Sequence, residues 1–251
     1  MNRRVLLVRG TRKYLVEPGE TKETDLGIIE VPEDAHGGDT VETHLGESFE
    51  IRRLRGPDLF DHLERTGAPM MPRDIGLFVG HTGIASGDRV LDAGTGTGVL
   101  AVYLGRLHLD VTTYERDSEF ADTARRNMRR AGVADRVDVR TGDVVEELDT
   151  VASEHESGFD LLTLDTADAP TVVRRSPELL ASGGFVAVYS PFVESTRECV
   201  SAAREAGLSE IESFETIQRT MDFDDRGSRP STAGVGHTGY LTFARSTPTL
   251  E

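Results

Sequence analysis

Arg89-Val90-Leu91-Asp92-Ala93-Gly94-Thr95-Gly96-Thr97-Gly98-Val99-Leu100 reads as a buried strand that ends in an acid, turns through three alternating glycines and opens a helix. A strand that turns this sharply needs residues without Cβ, so that the backbone can reach positive φ and a ligand can come close. The helix that follows, begun by Val99-Leu100-Ala101-Val102, points its free N–H groups at the turn. This is a nucleotide-type binding loop, and the sequence around it decides which nucleotide.

Outward from the loop, the chain alternates strand and helix from about residue 69, as in an α/β sheet. A helix over 73–81, started by Pro72, precedes strand one at 88–92 and its helix at 98–107. Strand two (110–115) and helix 118–131 follow, then strand three at 136–141. Strand four is 159–165 with a helix near 170–181, and Gly183-Gly184 turns into strand five at 185–190. Helix 194–206, strand six near 209–217 and strand seven at 239–244 complete a seven-stranded pattern, with 222–236 read as a Gly-, Ser-, Pro- and Asp-rich loop. Before residue 53 the pattern differs. Short apolar runs at 5–8, 13–16, 26–31 and 48–52 lie between turn signals at Gly10, Pro18-Gly19 and Gly37-Gly38, which suggests a small β-barrel or sandwich. Leu54, Leu59, Phe60 and Leu63 fall at helical spacing. The expected organisation is therefore a small β-domain (1–52), a linker helix (53–68) and an α/β domain (69–251).

Composition narrows the setting. The chain has 251 residues, net charge −16 and 44 acids against 28 bases, of which only Lys13 and Lys22 are lysines. The acids are spread along the chain, which points to adaptation to a cytoplasm of high salt, where carboxylates keep the surface hydrated. Molar salt screens charges within about 3 Å, so the acidic balance does not exclude a nucleic-acid substrate. There is no run of 18 apolar residues for a membrane span, and residues 1–10 carry too short an apolar stretch for a leader. The expected location is cytoplasmic. Cys199 is the single cysteine and sits mid-helix, where it reads as packing, and no histidine pair has metal spacing, so no metal is expected.

The loop spacing Gly94-x-Gly96-x-Gly98, with Val99 next, departs from the G-x-G-x-x-G of dinucleotide sites. Acids stand at three successive strand ends. Asp92 precedes the loop; Glu115 ends strand two, where a carboxylate can accept from both ribose hydroxyls; Gly142-Asp143 follows strand three, placed for an adenine amino group. An acidic, glycine-rich site suits a cofactor with a sulfonium and an ammonium group, and no diphosphate needs neutralising. This pattern resembles that of class I S-adenosylmethionine (SAM) methyltransferases, with their Rossmann-like seven-stranded sheet, and a nicotinamide enzyme is the competing reading. The expected cofactor contacts are Asp92, Gly94, Thr95, Gly96, Gly98, Val99, Glu115, Arg116, Gly142, Asp143 and Asp165. Glu115 as a surface charge and Asp143 as a turn or cap residue are the plainer alternatives.

Segments outside the loop carry a closer resemblance. Thr43-His44-Leu45-Gly46 is similar to a T-H-x-G stretch, Pro69-Met70-Met71-Pro72-Arg73-Asp74 to a Y-P-K-D segment, and Tyr189-Ser190-Pro191 to Y-x-P. Arg229-Pro230 and Gly236-His237-Thr238-Gly239-Tyr240-Leu241 are similar to a closing R-P and G-H-T-x-x-L. In this order they resemble the tRNA (adenine-N1)-methyltransferase family of archaea and bacteria. The resemblance implies SAM as donor, tRNA as partner, a homotetramer, and N1-methylation of T-loop adenosine at nucleotide positions 57 and 58.

N1 of adenine is a poor nucleophile, because its lone pair shares the ring with the exocyclic amine. A carboxylate that accepts from the amine pushes density to N1 and can take the amine proton as charge develops. Asp165, at the end of the buried run Leu161-Leu162-Thr163-Leu164, stands where that carboxylate belongs. The family has a D-x-P-x-P-W type stretch there, whereas this chain reads Asp165-Thr166-Ala167-Asp168-Ala169-Pro170 and has no tryptophan. Capping or a SAM contact are the alternatives for Asp165. Asp168 reads as a helix start. Tyr189 is expected to bound or stack on the target base, or else to be a core aromatic, and His237 to hold structure near the site or act in it. The target base lies inside a folded tRNA and must be extruded. Arg52, Arg53 and Arg55, and Arg125, Arg126, Arg129 and Arg130, are candidate phosphate readers, with acid-paired surface charge as the alternative. Two other functions stay open: a SAM methyltransferase acting on a protein carboxylate or a small molecule, and a non-catalytic tRNA-binding partner subunit.

Overall fold

The computed structural model describes residues 4–65, 69–234 and 236–247. The α/β part is built from α2 (Pro72–Thr82), β7 (Arg89–Ala93), α3 (Val99–Arg106), β8 (Asp110–Glu115), α4 (Ser118–Ala131), β9 (Val137–Thr141), α5 (Val144–Glu154) and β10 (Phe159–Leu164), and then α6 (Ala169–Leu179), β11 (Leu180–Ser190), α7 (Val193–Glu205), β12 (Ser209–Glu215) and β15 (Tyr240–Arg245). Its seven strands lie in the order β12-β15-β11-β10-β7-β8-β9. All neighbours run parallel except β15, which is antiparallel to both β11 and β12. The order reverses at β7, so the tips of β7 and β10 open the crevice where ligands bind in such sheets.

Both faces of this sheet are covered, which explains its nearly continuous apolar strands. Val90, Val111, Leu161 and Ala187 face one cluster with α2, α3 and α4. Leu91, Ala93, Leu162, Leu164, Val186 and Val188 alternate with them and face a second cluster with α5, α6 and α7.

The N-terminal strands are β1 (Val5–Arg9), β2 (Arg12–Val16), β3 (Thr21–Thr24), β4 (Gly27–Glu30), β5 (Thr40–Glu42) and β6 (Ser48–Arg53). They form an antiparallel sheet, β2-β1-β6-β5, and a β3–β4 ribbon joined to it through a bridge between Ile29 and Thr43. Val5, Leu7, Val16, Ile29, Phe49 and Ile51 make their small core. The opposite face of β1 sends Leu6 and Val8 into the same cluster as α2 and α3, so the two parts share buried surface.

Several expectations need correction. The helix expected over 53–68 is α1 (Gly56–His62) only. Arg53 still belongs to β6, Pro57 at the first turn fits a helix start, and 66–68 lie outside the described residues. A helix absent from the sequence reading, α5, follows Asp143, whose carboxylate caps it by accepting from Val145 N at 2.9 Å. Strands β3 and β5 were also not anticipated. Residues 222–236 are not all loop: β13 (Met221–Asp224) and β14 (Gly227–Pro230) form a hairpin turned at Asp224, which accepts from Arg226 N at 2.8 Å. Its side chains are mostly exposed, so apolar alternation could not mark it. Among the described residues, no helix is long and apolar enough to cross a membrane, and no group of three or more His, Cys, Asp or Glu is placed to hold a metal.

Candidate active site

The loop between β7 and α3 is shaped by what its glycines approach. Gly94 has φ 90°, and a Cβ there would lie 2.0 Å from the carbonyl oxygen of Asp165. Only glycine lets the tips of β7 and β10 come together, and Asp165 N donates to Ala93 O across the gap at 2.9 Å. Gly98 has φ 82° and leaves no room for a Cβ beside Met128 of α4. The loop is tied down on its other side too. Asn127 donates to Thr97 O at 2.8 Å, and Gly96 N donates to Glu115 Oε2 at 2.8 Å.

Asp92 lies under the loop, 2% exposed. In register, it is flanked by Thr113 on β8 and Thr163 on β10. Both threonine hydroxyls donate to it, to Oδ2 and Oδ1 respectively, each at 2.6 Å. Thr113 in turn accepts from Thr95 of the loop, since its own proton is spent on Asp92. Burial pushes the Asp92 carboxyl upward, and the two hydroxyls oppose that shift. These threonines were not singled out in the sequence; the parallel register on either side of Asp92 is the signal that finds them.

Two cavities meet at Gly94, Gly96 and Asp165. The smaller, about 450 Å³, is floored by Asp92 and walled by Pro69 and Met70 ahead of α2 and by Thr97, Val99 and Leu100. The larger, about 1000 Å³, is lined by Glu115, Arg116, Phe120, Gly142, Asp143 and Thr166. Of the residues expected at the cofactor, all but Gly98 line these two cavities; Gly98 instead packs against Met128 and Ala124 of α4. Glu115 already accepts from Gly96 N and from Asp117 N at 3.0 Å, which fixes its carboxylate while lone pairs remain for further donors. Asp143 is both a cap for α5 and a cavity wall. Arg116 spans the mouth of the larger cavity, 2.9 Å from Asp168 and 3.4 Å from Asp143. Phe120, in the first turn of α4, offers an apolar face to this cavity and was missed in the sequence.

Asp165 shares with Asp92 the wall of the smaller cavity and an upward-shifted carboxyl, but not its hydrogen-bond partners. It borders both cavities, solvent reaches it, and among the described residues its carboxylate accepts no hydrogen bond. Although the residue is exposed, protein atoms crowd its carboxyl; this desolvation first, and then the like charges of Asp92 and Glu115, push its pKa up to about 7. A carboxylate in that range is suited to take a proton near neutrality.

Tyr189 ends β11 beside this group. Its hydroxyl donates to Thr238 O, and its ring fills the space a side chain on Gly239 would need. Burial raises its pKa first, with the charges of Asp165 and Asp74 adding. Thr238 is held from the other side by α2, where Arg73 Nη2 donates to its hydroxyl at 3.0 Å. His237 is exposed: Nδ1 lies 2.6 Å from Glu215 Oε1 and Nε2 lies 3.4 Å from Pro191 O. With acceptors on both nitrogens, the doubly protonated ring is favoured, and its pKa is raised by Glu215 first and Pro191 second. Cys199 is buried and its thiol is pushed up to about 11 by burial, which makes it inert packing.

The chain as a whole resembles known proteins. Residues 61–227 match the family model described as tRNA methyltransferase complex GCD14 subunit. A tRNA (adenine(57)-N(1)/adenine(58)-N(1))-methyltransferase TrmI from Methanocaldococcus jannaschii is 31% identical, covering 96% of this chain and 93% of its own. Among solved structures, a SAM-dependent O-methyltransferase from Thermotoga maritima superposes with TM-score 0.80 at 27% identity, covering 100% of this chain and 95% of that one. The tRNA (m1A58) methyltransferase TrmI from Aquifex aeolicus superposes with TM-score 0.71 at 22% identity, covering 98% and 97%, a likeness of fold.

Proposed function

The chain belongs to the GCD14 family of tRNA methyltransferase subunits, and from that premise we propose that it transfers the methyl group of SAM to N1 of a T-loop adenosine in tRNA, at position 58 and also at 57 as in the archaeal relative. It is a SAM-dependent methyltransferase with the Rossmann-like fold of that class. The observation that carries the proposal is Asp165: a solvent-reachable carboxylate that accepts no hydrogen bond among the described residues, where the two halves of the cleft meet.

The residues present fit the cofactor. Gly94 lets the strand tips close on one another, Gly96 leaves open space on the cleft side, and the walls are acidic, which suits a cationic ligand without phosphates. On this reading Gly94, Thr95, Gly96 and Val99 border the methionine end, and Asp92 and Gly98 shape the loop from beneath and behind. Glu115 and Arg116 hold the ribose side, and Gly142 and Asp143 border the adenine. When bound, SAM supplies a methyl carbon open to in-line displacement. The protein's share is positioning, which supplies most of the catalysis in such a transfer. Asp165 accepts from the exocyclic amine of the extruded adenine, raises the electron density at N1, and takes the amine proton as the N1–C bond forms and the S–C bond breaks. Tyr189, fixed by Thr238, bounds the base; His237 holds the C-terminal segment against Glu215 and Pro191 next to it.

A homotetramer is part of the same proposal. Its support on the surface is the exposed apolar set Ile217, Met221 and Phe223 at the β13–β14 hairpin, of which Phe223 is 76% exposed. A cytoplasmic location follows from the substrate, and the excess of acids with only two lysines supports a high-salt cytoplasm. Incubation with labelled SAM and unmodified tRNA in high-salt buffer, followed by nucleoside analysis, is expected to give 1-methyladenosine in the T-loop. SAM binding without label in tRNA would overturn the proposal.

A further inference from the structure

The end of the sheet away from Asp165 carries an unexplained concentration of positive charge. Helix α4 has 14 residues and runs about 20 Å from the cofactor edge to Arg129 and Arg130 in its last turn. There the chain forms two adjoining troughs that share Arg53, at the end of β6, and Arg106, at the end of α3. The first also takes in Arg4, His36 and Arg130; the second takes in His108, Arg129 and Arg136, with Asp135 beside Arg136 as its one acid. The sequence separates these arginines into distant groups, and the fold brings them to one surface.

The pairing is selective. Arg52, Arg125 and Arg126 are neutralised locally by Glu50, Asp122 and Glu64, so they are removed from the set of phosphate readers. Arg4, Arg130 and Arg136 in the troughs also meet acids. Among the described residues Arg53, Arg106 and Arg129, with Arg55 beside them, form no ion pair. Arg106 is half-buried and donates to Leu54 O at 3.2 Å. Its pKa is lowered by burial first, and then by Arg53 and Arg55, so these cations repel one another. In a chain of net charge −16 with 44 acids, leaving this cluster unpaired is a standing electrostatic penalty that a polyanion would remove.

We propose that the trough lined by Arg53, Arg106 and Arg129 binds the sugar–phosphate backbone of the RNA substrate, remote from the methylated base. This rests on the tRNA reading above. Guanidinium forks match phosphate oxygens, and an acidic protein that works on a polyanion must grip it where its cations are concentrated. A second copy of the chain, which is also acidic, is the competing occupant.

Filter binding of labelled unmodified tRNA across a KCl series tests this. R53E/R129E, with R53Q/R129Q as the milder pair, alters only exposed side chains. The expected result is an affinity loss of about tenfold or more at low salt, and a plot of log K against log salt shallower by about 2, for two lost phosphate contacts. SAM affinity and the methylation rate at saturating tRNA stay within twofold. Unchanged affinity and slope in both pairs overturns the proposal. So does an equal loss in the charge-matched control R197E/R204E, or a smaller assembly mass by light scattering with tRNA affinity intact. Because the readout is binding, a wild-type enzyme that binds tRNA but forms no 1-methyladenosine would refute the functional reading and leave the trough standing.

Discussion

The tips of β7 and β10 each present an aspartate to the same cleft, and the two are built differently. Asp92 is sealed beneath the glycine loop and has a threonine hydroxyl on each oxygen. Asp165, whose backbone nitrogen bonds to the neighbouring tip at 2.9 Å, has no side-chain donor among the described residues and borders open space on both sides. A satisfied carboxylate holds a shape. One left without partners, and with its pKa raised, keeps its hydrogen-bonding capacity for a ligand. On the proposed reading, Asp92 shapes the loop and Asp165 serves the chemistry.

Substitutions at the two tips should therefore separate. The largest effect is expected for Asp165→Ala, with methyl transfer falling about 10²- to 10⁴-fold while SAM affinity, read by calorimetry, stays within a few-fold. Collapse of SAM binding in that variant would break the comparison, because Asp165 would then serve the cofactor and not the methyl transfer. Gly94→Ala should act on the cofactor side. Its Cβ would meet Asp165 O at 2.0 Å from a backbone at φ 90°, which adds at least about 1–3 kcal/mol of strain and lowers SAM affinity tenfold or more. Thr163→Val keeps the shape but strips one donor from Asp92. Thermal unfolding should show a loss of about 1–3 kcal/mol, with a far smaller change in turnover than at Asp165. A large loss of turnover with unchanged stability would place Asp92 in the chemistry after all.

How much of this could be read from the chain depends on where the information lies. Residues 110–115 and 118–131 coincide with β8 and α4, because a buried strand, an acidic cap at Asp117 and the terminal Gly132 are all local signals. The acids at the strand tips were legible for the same reason. Helix α5 is not anticipated, although Val144, Leu148 and Val151 are its buried residues at helical spacing; Asp143 reads as a ligand contact with a turn or cap as the alternative, and the cap it makes marks the helix start. The Thr113–Asp92–Thr163 lattice depends on the register between strands far apart in sequence, so no single segment contains it. The arginine trough is hidden in the same way, since Arg106 lies in neither of the arginine clusters visible along the chain.

The pH dependence of single-turnover methyl transfer to tRNA tests the central claim most directly. Asp165 must be ionised to accept the amine proton, and its carboxyl is held up to about 7. The sign for stability is the opposite one. A carboxyl raised above its unfolded value of about 3.9 favours the fold fully below that pH, and this contribution is lost as pH rises through about 7. The rate should thus climb about tenfold per pH unit below the transition and level off above a midpoint near 7, and Asp165→Asn should abolish that limb. A wild-type rate that is flat between about pH 5.5 and 8.5, with SAM and tRNA saturating, would contradict the assignment of Asp165 as the proton acceptor.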